Sequence, residues 1–382
     1  MNILIASDSF KGTMSSVQIM EKLAEAANAH LHCDVAKIAI ADGGEGTVEA
    51  LVSNCGGNII SSEVTGPLFQ KVTAQYGITS EDTAIIEMAQ ASGLALASLD
   101  KNPLNTTSYG TGELIKGALE RGYRKILIGL GGSATNDGGI GAMMALGAKF
   151  YDQDNHLITA GTGAKLQNIC AIDVSQMHPL IQDCEIKVIC DVNNPLLGET
   201  GATYVFGPQK GADANKLEIL EAGMTNYAKV VSRDLQQAFE NVPGAGAAGG
   251  LGYALITFLG AELVRGVDAI LDLVQFDKLM KNVDLVITGE GNMDGQSLYG
   301  KVPIGVAKRC EQFGVPVIAV VGGMDESATA VYEHGIAAVF PILPKAMPLE
   351  EALQQSEDVF DAAADRLFRL IKAILSIKSR RL

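Results

Sequence analysis

The chain has 382 residues, which is enough for roughly two or three domains. It carries 29 Lys and Arg against 44 Asp and Glu, which gives a net charge of −15. This charge argues against a protein that binds nucleic acids or anionic membranes, because phosphate groups attract clustered basic residues. A hydrophobic fraction of 47% with 19% charged residues is typical of a globular protein and argues against an intrinsically disordered one.

The N-terminal segment alternates between strand and helix patterns. Asn2–Ser7 predicts a buried strand, and Ser15–Ala29 predicts an amphipathic helix, because its apolar residues recur at helical spacing. Val35–Ala41 predicts a second strand and Thr47–Asn54 a short helix. A βαβα order of this kind predicts parallel strands joined by right-handed crossovers.

The rest of the chain predicts an α/β fold with two domains. The middle is less regular, with predicted strands and helices at Glu63–Ile78, Thr83–Met88, Thr111–Glu120, Lys125–Leu130, Gly138–Leu146 and Ile186–Cys190. The C-terminal third alternates again, at Asp284–Thr288, Val302–Phe313, Val315–Val320, Ala338–Pro341 and Leu349–Ile377. We therefore expect a discontinuous parallel-sheet domain, residues 1–60 and 268–382, with a mixed α/β domain, 61–267, inserted into it.

Three features bear on the compartment. Pro243–Ala261 is uncharged, but its glycine-rich start and the charges that follow it favour a buried helix over a membrane helix. The segment Met1–Ile5 lacks the basic residues of a signal peptide. The six cysteines are scattered without a CxxC pair, which predicts free thiols rather than a disulfide scaffold. We expect a cytoplasmic protein without a membrane partner.

Acidic residues follow the first two predicted strands. Asp8 and Lys11 come just after the first strand, where ligands bind in open α/β sheets. Asp42 and Glu45 follow the second strand among glycines, and two neighbouring carboxylates suit a hydrated Mg²⁺. The alternative for both loops is structural: a helix cap with a solvated lysine, and a glycine-rich turn with an acidic cap.

Two further glycine-rich segments lie after predicted strands. The segment Gly129–Gly139, called here the glycine loop, leads into a predicted helix, and amides at a helix N-terminus bind anions. The segment Gly289–Lys301 holds Glu290 and Asp294 and ends in a lysine. Its end matches GxxxxGK, but Val302 replaces the Ser or Thr that holds magnesium in a Walker A loop, so we do not assign it as one.

The glycine loop also permits a dinucleotide-binding interpretation. Gly129, Gly131 and Ala134 fit GxGxxA, and Asp152 lies at a suitable distance for a ribose contact. However, none of the five histidines lies in a glycine motif. The remaining groups are carboxylates, lysines and amides, which phosphoryl transfer uses. A nicotinamide-dependent oxidoreductase and a non-catalytic sugar-acid sensor stay open as alternatives.

Eight segments, taken together and in order, resemble the bacterial type I glycerate kinases. They are DSFKGTMS (Asp8–Ser15), ADGGEGTVEA (Ala41–Ala50), TTSYGTGELI (Thr106–Ile115), GLGGSATNDGGIG (Gly129–Gly141), CDVNNPLLG (Cys190–Gly198), FGPQKGA (Phe206–Ala212), PGAGAAGGLG (Pro243–Gly252) and TGEGNMDGQSLYGKVPIGVA (Thr288–Ala307). The resemblance implies ATP-dependent phosphorylation of glycerate with Mg²⁺. It also implies two α/β domains, one of them discontinuous and flavodoxin-like, with the active site in the cleft between them.

One residue departs from the family pattern. Asn292 stands where many members carry Arg. If that Arg binds a phosphate or the substrate carboxylate, another cation must compensate here, and Lys11, Lys210 and Lys301 are the candidates.

These observations lead to a set of expected roles. The catalytic candidates are Asp191, Lys11 and Asp8, with Asp191 receiving or orienting the substrate proton. The nucleotide-binding candidates are Gly131, Gly132, Ser133, Asn136 and Lys301. The metal candidates are Asp42, Glu45, Glu290 and Asp294, with Asp137 as a competing carboxylate. We expect ATP, Mg²⁺ and D-glycerate as ligands, phosphorylation at the 2-hydroxyl with the 3-hydroxyl as the alternative, and a monomer or homodimer.

Overall fold

The computed structural model describes residues 1–41, 43–98, 101–299 and 301–379. The chain forms two compact units: the first comprises Met1–Asp42, Glu49–Cys55 and Gly266–Leu382, and the second Gly43–Val48 and Gly56–Arg265. The predicted α/β fold class is confirmed. The domain limits given above, 1–60 with 268–382 and 61–267, stay a prediction.

Strands and helices are numbered in chain order over these described residues. The strands are β1 (Asn2–Ser7), β2 (Asp34–Ala39), β3 (Gly57–Thr65), β4 (Lys71–Thr79), β5 (Thr83–Glu87), β6 (Lys125–Gly129), β7 (Lys149–Tyr151), β8 (Ala171–Asp173), β9 (Glu185–Ile189), β10 (Glu262–Val264), β11 (Leu285–Met293), β12 (Val317–Met324) and β13 (Ile336–Pro341). The α-helices are α1 (Ser16–His30), α2 (Thr47–Cys55), α3 (Ala89–Ser92), α4 (Tyr109–Glu120), α5 (Ile140–Ala145), α6 (Ala202–Phe206), α7 (Ala214–Leu235), α8 (Ala247–Leu259), α9 (Gly266–Leu273), α10 (Phe276–Leu279), α11 (Val302–Glu311), α12 (Leu349–Gln354) and α13 (Ser356–Ser379).

The first unit is built on a parallel sheet. Its strand order is β13-β12-β11-β1-β2, and each neighbouring pair is parallel. Numbered within this unit the order is 2-1-3-4-5, the flavodoxin-like order that the resemblance implied. The central strands β1 and β11 are paired in the register Ile3↔Leu285 and are almost wholly buried. Asp8, just after β1, and Glu290, late in β11, therefore lie at the same edge of this sheet.

Helix α1 shows how local sequence sets an element of this unit. The Ser15 hydroxyl accepts from the Gln18 amide at 3.3 Å, and the Gln18 side chain accepts from the Ser15 amide at 2.9 Å, which is a capping box. Apolar residues recur every three or four positions and bury one face of the helix; they are Ile19, Met20, Leu23, Ala24 and Ala27. The helix predicted over Ser15–Ala29 is confirmed to within one residue at each end.

The second unit is built on a mixed sheet in the order β10-β9-β6-β5-β4-β3. Strands β5, β6, β9 and β10 pair in parallel, while β3, β4 and β5 pair antiparallel. Glu87 lies opposite Gly129, and Gly129 opposite Ile189. Glu87, the start of the glycine loop and the segment after β9 therefore meet at one edge of the sheet, where ligands bind in open α/β folds.

The sequence pattern suggested a single strand-like run over Glu63–Ile78, but the structure shows two strands there. The run divides between β3 and β4, which form a hairpin closed by the Gly66 amide donating to the Gln70 carbonyl at 2.6 Å. Pro67 follows Gly66, and a Gly-Pro pair is a turn signal.

The uncharged stretch Pro243–Ala261 forms the buried helix α8, as predicted. The helix is bent, because Ala248, Gly249 and Gly250 have left-handed backbone conformations. Among the residues that the structure describes, no helix combines the length and the apolar character needed to cross a membrane.

Candidate active site

Asp8 lies at the carboxyl end of β1 in the first unit and is buried. Its amide donates to the carbonyl of Gly289 at 3.0 Å, and its Oδ1 accepts from the Ser9 amide at 2.7 Å. These contacts bring the loop after β1 against the part of β11 that carries Glu290. Lys11 lies in the same loop and is exposed.

Three charged residues of the first unit form one group, called here the Lys301 cluster. The Lys301 Nζ lies 3.5 Å from Glu290 Oε2 and 3.3 Å from Asp294 Oδ1. Glu290 is 5% exposed, and burial raises the pKa of its carboxyl group. Its second oxygen, Oε1, is buried and has no hydrogen-bond partner among the described residues. A buried oxygen without a partner costs free energy, so this atom is suited to accept a ligand.

The donor set of the Lys301 cluster fits a magnesium ion. Mg²⁺ usually takes one or two carboxylates and completes its shell with water and phosphate oxygens. Glu290 and Asp294 offer two carboxylates, and the unpartnered oxygen of Glu290 is one of their four oxygens. Lys301 neutralises the same two carboxylates, so a cation placed here would compete with its ammonium group. Binding of nucleotide by Lys301 stays a prediction.

Asn292, the residue that departs from the family pattern, is exposed on β11 opposite Gly323 of β12. Three lysines were considered as replacements for the charge of the Arg that many family members carry at position 292. Of these, Lys11 and Lys301 belong to the same unit as Asn292. Lys210 belongs to the second unit and is 2% exposed. Compensation by a lysine stays a prediction.

In the second unit, the glycine loop packs against the glycine-rich segment 43–46. A Cβ atom on Gly129 would lie 2.2 Å from the Gly43 carbonyl oxygen, and one on Gly131 would lie 2.6 Å from Gly44 Cα. Only glycine allows two backbones to approach this closely. The Gly131 amide donates to the Gly43 carbonyl at 3.3 Å, so this amide, predicted to bind phosphate, already has a partner within the protein.

The next two amides of the glycine loop, those of Gly132 and Ser133, differ from that of Gly131 in their hydrogen bonding. The loop is held in place by its neighbours, since Leu94 donates to the Gly132 carbonyl at 2.8 Å and Ala134 donates to the Ser92 carbonyl at 2.9 Å. In the described part of the chain, the amides of Gly132 and Ser133 have no acceptor. Gly132 is exposed and Ser133 is half-buried. These two amides are therefore able to bind an anion such as a phosphate.

At the helix that follows the loop, two of the N-terminal amides donate to a side chain of the protein itself, and anion binding there stays a prediction. The Asp137 carboxylate accepts from the Gly139 and Gly141 amides, at 3.1 and 3.3 Å. It also accepts from the amide and the hydroxyl of Ser108, both at 2.7 Å, and that hydroxyl accepts from the Ala142 amide at 3.0 Å. Asp137 is fully buried, which raises its pKa. Its contacts hold the start of helix α5, and metal binding by Asp137 stays a prediction.

Lys210, which the sequence named only as a possible substitute for the missing Arg, contacts the glycine loop. It ends the short 3₁₀ helix Pro208–Lys210, and its Nζ donates to Ser133 Oγ at 2.8 Å and to the Thr135 carbonyl at 2.7 Å. Burial lowers the pKa of Lys210 to about 7, while the charge of Asp137 acts in the opposite direction. A lysine in a glycine-proline turn was visible in the sequence, but nothing there indicated its contact with a loop 77 residues away.

The side chain of Asn136, in the glycine loop, contacts Thr203 of helix α6. Its Nδ2 donates to Thr203 Oγ1 at 3.2 Å, and the side chain is fully buried. The Oδ1 atom has no hydrogen-bond partner among the described residues. Nucleotide binding by Asn136 stays a prediction.

Two carboxylates, those of Glu87 and Glu45, lie near the start of α2. Glu87, at the end of β5, is buried and accepts from the Val48 amide at 2.7 Å. Burial raises the pKa of Glu87, and the charge of Glu45 adds to this effect. Glu45 itself is exposed. Asp42, the other metal candidate of this loop, lies outside the described residues. The sequence reasoning assigned Glu87 only to a strand end and so missed it.

Asp191 follows β9 and is exposed at the sheet edge that carries the glycine loop. The Leu130 amide donates to the Ile189 carbonyl at 3.4 Å, which joins the beginnings of the two segments. The neighbouring Cys190 is not a competing nucleophile, because burial raises the pKa of its thiol to about 11 and its Sγ donates to the Val192 carbonyl. The structure thus places Asp191, the glycine loop and Glu87 at one edge.

The geometry argues against the dinucleotide interpretation. A Rossmann fold carries its ribose-binding acid after a strand that lies parallel to the first. Asp152 instead follows β7, which belongs to a separate two-stranded antiparallel sheet with β8. Its carboxylate accepts from the amides of Asp154 and His156 in an exposed turn.

Comparison with known proteins identifies the family. The profile of the glycerate kinase family matches residues 3–372. A glycerate kinase of Bacillus subtilis is 46% identical, covering 97% of this chain and 98% of that protein, and a glycerate 2-kinase of Escherichia coli is 44% identical, covering 100% and 99%. A solved structure reported for a glycerate kinase 2 of Salmonella typhimurium LT2 matches with a TM-score of 0.87 and 42% identity, covering 98% of this chain and 99% of the other. The chain therefore belongs to the glycerate kinase family.

Proposed function

We propose that this chain transfers the γ-phosphoryl group of ATP to the 2-hydroxyl of D-glycerate, giving 2-phospho-D-glycerate and ADP. The observation that carries the proposal is the family match over residues 3–372. The choice of the 2-hydroxyl is supported by the E. coli relative, a glycerate 2-kinase that aligns with the whole chain. The 3-hydroxyl is the alternative outcome.

In this proposal the second unit binds the phosphates and orients the alcohol. The amides of Gly132 and Ser133 hold phosphate oxygens, since neither has a protein acceptor in the described residues. Asp191 accepts a hydrogen bond from the 2-hydroxyl of glycerate. The alcohol oxygen attacks the γ-phosphorus, the bond from that phosphorus to the oxygen of ADP breaks, and the hydroxyl proton passes to Asp191. A carboxylate is a weak base, so most of its effect is orientation.

The charged candidates keep the roles that the sequence predicts for them. Lys11 is exposed and cationic, and Asp8 lies buried in the same loop. Glu290 and Asp294 would hold Mg²⁺, and Glu45 and Asp42 are the other candidate ligands. When bound, the ion neutralises negative charge on the phosphates of ATP. Among these carboxylates, Glu290 has the strongest support, because its Oε1 is buried and has no partner in the described residues.

Product analysis tests the proposed function. The purified chain is incubated with ATP, MgCl₂ and D-glycerate labelled with ¹³C, and ³¹P–¹³C coupling assigns the phosphorylated carbon by NMR. We expect coupling to C2. Coupling to C3 would overturn the regiochemistry while leaving the kinase, and an absence of glycerate-dependent ADP release would overturn the function as a whole.

A further inference from the structure

A buried lysine, Lys210, contacts the glycine loop. Lys210 is 2% exposed, and it is the one Lys or Arg side chain that is buried among the described residues. A charged lysine is rarely buried unless its ammonium group is hydrogen-bonded, because removal from water is costly. The position of Lys210 therefore calls for a reason beyond packing.

The contacts of Lys210 end on two residues of the glycine loop. Its Nζ donates to Ser133 Oγ at 2.8 Å and to the Thr135 carbonyl at 2.7 Å. The segment that carries Lys210 contacts the loop a second time, since Asn136 donates to Thr203 of helix α6. The side chains of Lys210 and Asn136 therefore link the glycine loop to the segment 202–210.

The direction of the bond to Ser133 has a chemical consequence. A lysine ammonium group is a donor only, so Ser133 Oγ acts as the acceptor in this contact. The hydroxyl proton of Ser133 then points away from Lys210 and is free to be donated elsewhere. Together with the amides of Gly132 and Ser133, which have no acceptor in the described residues, this gives three donors within two consecutive residues.

We propose that Lys210 is a positioning residue that fixes the Ser133 hydroxyl as a hydrogen-bond donor to a phosphate group of the nucleotide. This inference rests on the proposed function for the identity of the ligand, a nucleoside di- or triphosphate. Lys210 does not touch the ligand; it acts through Ser133. The anion is held by the hydroxyl of Ser133 and by the two amides.

The surroundings of Lys210 are consistent with a role that depends on charge. Asp137, which lies in the glycine loop, is the charged group that raises the pKa of Lys210 against the effect of burial. Lys216 and Asp213, at the start of α7, pair with each other at 3.2 Å. A bound phosphate adds negative charge near Ser133, and this favours the protonated form of Lys210.

Calorimetric titration with Mg-ADP tests the inference without requiring turnover. We compare the wild type with Lys210→Met, Ser133→Ala and the double variant. Lys116→Met is the matched control, because Lys116 is a half-buried lysine of the same unit that lies outside the candidate site and 4.0 Å from the carboxylate of Glu120. We expect Kd to rise about tenfold or more in Ser133→Ala, in line with the loss of a hydrogen bond to a charged group. In Lys210→Met it should rise several-fold but no further than in Ser133→Ala, and in Lys116→Met less than twofold.

The double variant separates positioning from a general structural effect. If Lys210 acts through Ser133, the double variant binds ADP about as weakly as Ser133→Ala alone, because coupled residues do not add. In turnover, KM for ATP should rise while KM for D-glycerate stays within twofold. A merely structural role would lower the active fraction without this selective change in KM.

Several outcomes would overturn the inference. One is a Kd for Lys210→Met within twofold of the wild type, and another is full additivity in the double variant. If Lys210→Met does not fold, Ser133→Ala alone decides, and an unchanged Kd for that variant overturns the inference. A wild type that binds ADP but does not phosphorylate glycerate overturns the proposed function alone.

Discussion

Polar residues near the edge of the second-unit sheet differ in burial, and this sets what each can do. Asp191 is exposed, so its carboxylate is accessible to the hydroxyl group of a substrate. Glu87 is buried, and desolvation raises its pKa. Lys210 is buried, and desolvation lowers its pKa to about 7. None of these differences follows from residue type alone.

Asp191→Asn should abolish most of the activity without affecting the fold. The amide keeps the size of the side chain but cannot accept the proton, and removal of a general base typically costs about 10²- to 10⁴-fold in rate. We expect kcat to fall at least ~10²-fold, with an unchanged melting temperature because the side chain is exposed. Turnover within a few-fold of the wild type would place the base elsewhere.

Glu87→Gln should stabilise the protein more at high pH than at low pH. The folded-state pKa of Glu87 is raised, so wild-type stability is fully present below the unfolded-state pKa and is lost as pH rises through the folded-state value. Glutamine is neutral at every pH and can still accept from the Val48 amide. Urea unfolding at pH 5 and pH 8 should show that the stability difference, variant minus wild type, grows with pH.

The exposed Glu81 provides the control for this experiment. Glu81→Gln makes the same substitution at an exposed position, so it measures the effect of the exchange outside the buried site. A pH-independent difference for Glu87→Gln would contradict the assigned effect of burial.

At the scale of elements, small residues determine how closely helices α4 and α5 pack. A Cβ atom on Gly112 of α4 would lie 2.3 Å from the Ala142 carbonyl oxygen of α5. A Cβ on Gly117 of the same helix meets only the end of the Arg121 side chain, at 3.3 Å. The two glycines share a helix, but only Gly112 is required by packing.

Substitution of these two glycines should have opposite effects. Gly112→Ala forces α4 and α5 apart, and overpacking of this kind typically costs about 1–3 kcal/mol. Gly117→Ala should raise the free energy of unfolding by about 0.5–1 kcal/mol, because alanine favours helix over glycine. Chemical unfolding of both variants measures this. A loss of stability in both, or in neither, would contradict the packing described.

The elements show where sequence reasoning succeeds and where it fails. Strand β1 and helix α1 were predicted nearly to the residue, because the pattern of their apolar residues defines them locally. Helix α7 was not predicted, although Leu220, Met224, Tyr227 and Val231 recur at helical spacing and bury one face. The left-handed bend of α8 carries no local signal, since it arises where Gly249 meets the backbone of Thr135.

At the scale of the whole molecule, alternation along the chain was sufficient to predict the α/β class and the parallel sheet of the first unit. Long-range side-chain contacts were not predictable. Lys210 and Ser133 are 77 residues apart, and Asp137 and Ser108 are 29 apart. The glycine loop was recognised as a site, but the amides that remain available could be identified only after these contacts were known.

Ligand binding should stabilise the protein selectively. A ligand that binds only the folded state adds about 2.7 kcal/mol at 100 times its Kd. We expect Mg-ADP at that concentration to raise the melting temperature measurably, and NAD at the same concentration to leave it unchanged. Stabilisation by NAD would revive the oxidoreductase alternative.

A crystal structure of the chain with Mg-ADP tests the central claim most directly. The account predicts that an oxygen of the terminal phosphate lies within hydrogen-bonding distance of the amide nitrogens of Gly132 and Ser133. ADP bound with its phosphates away from the glycine loop would contradict it.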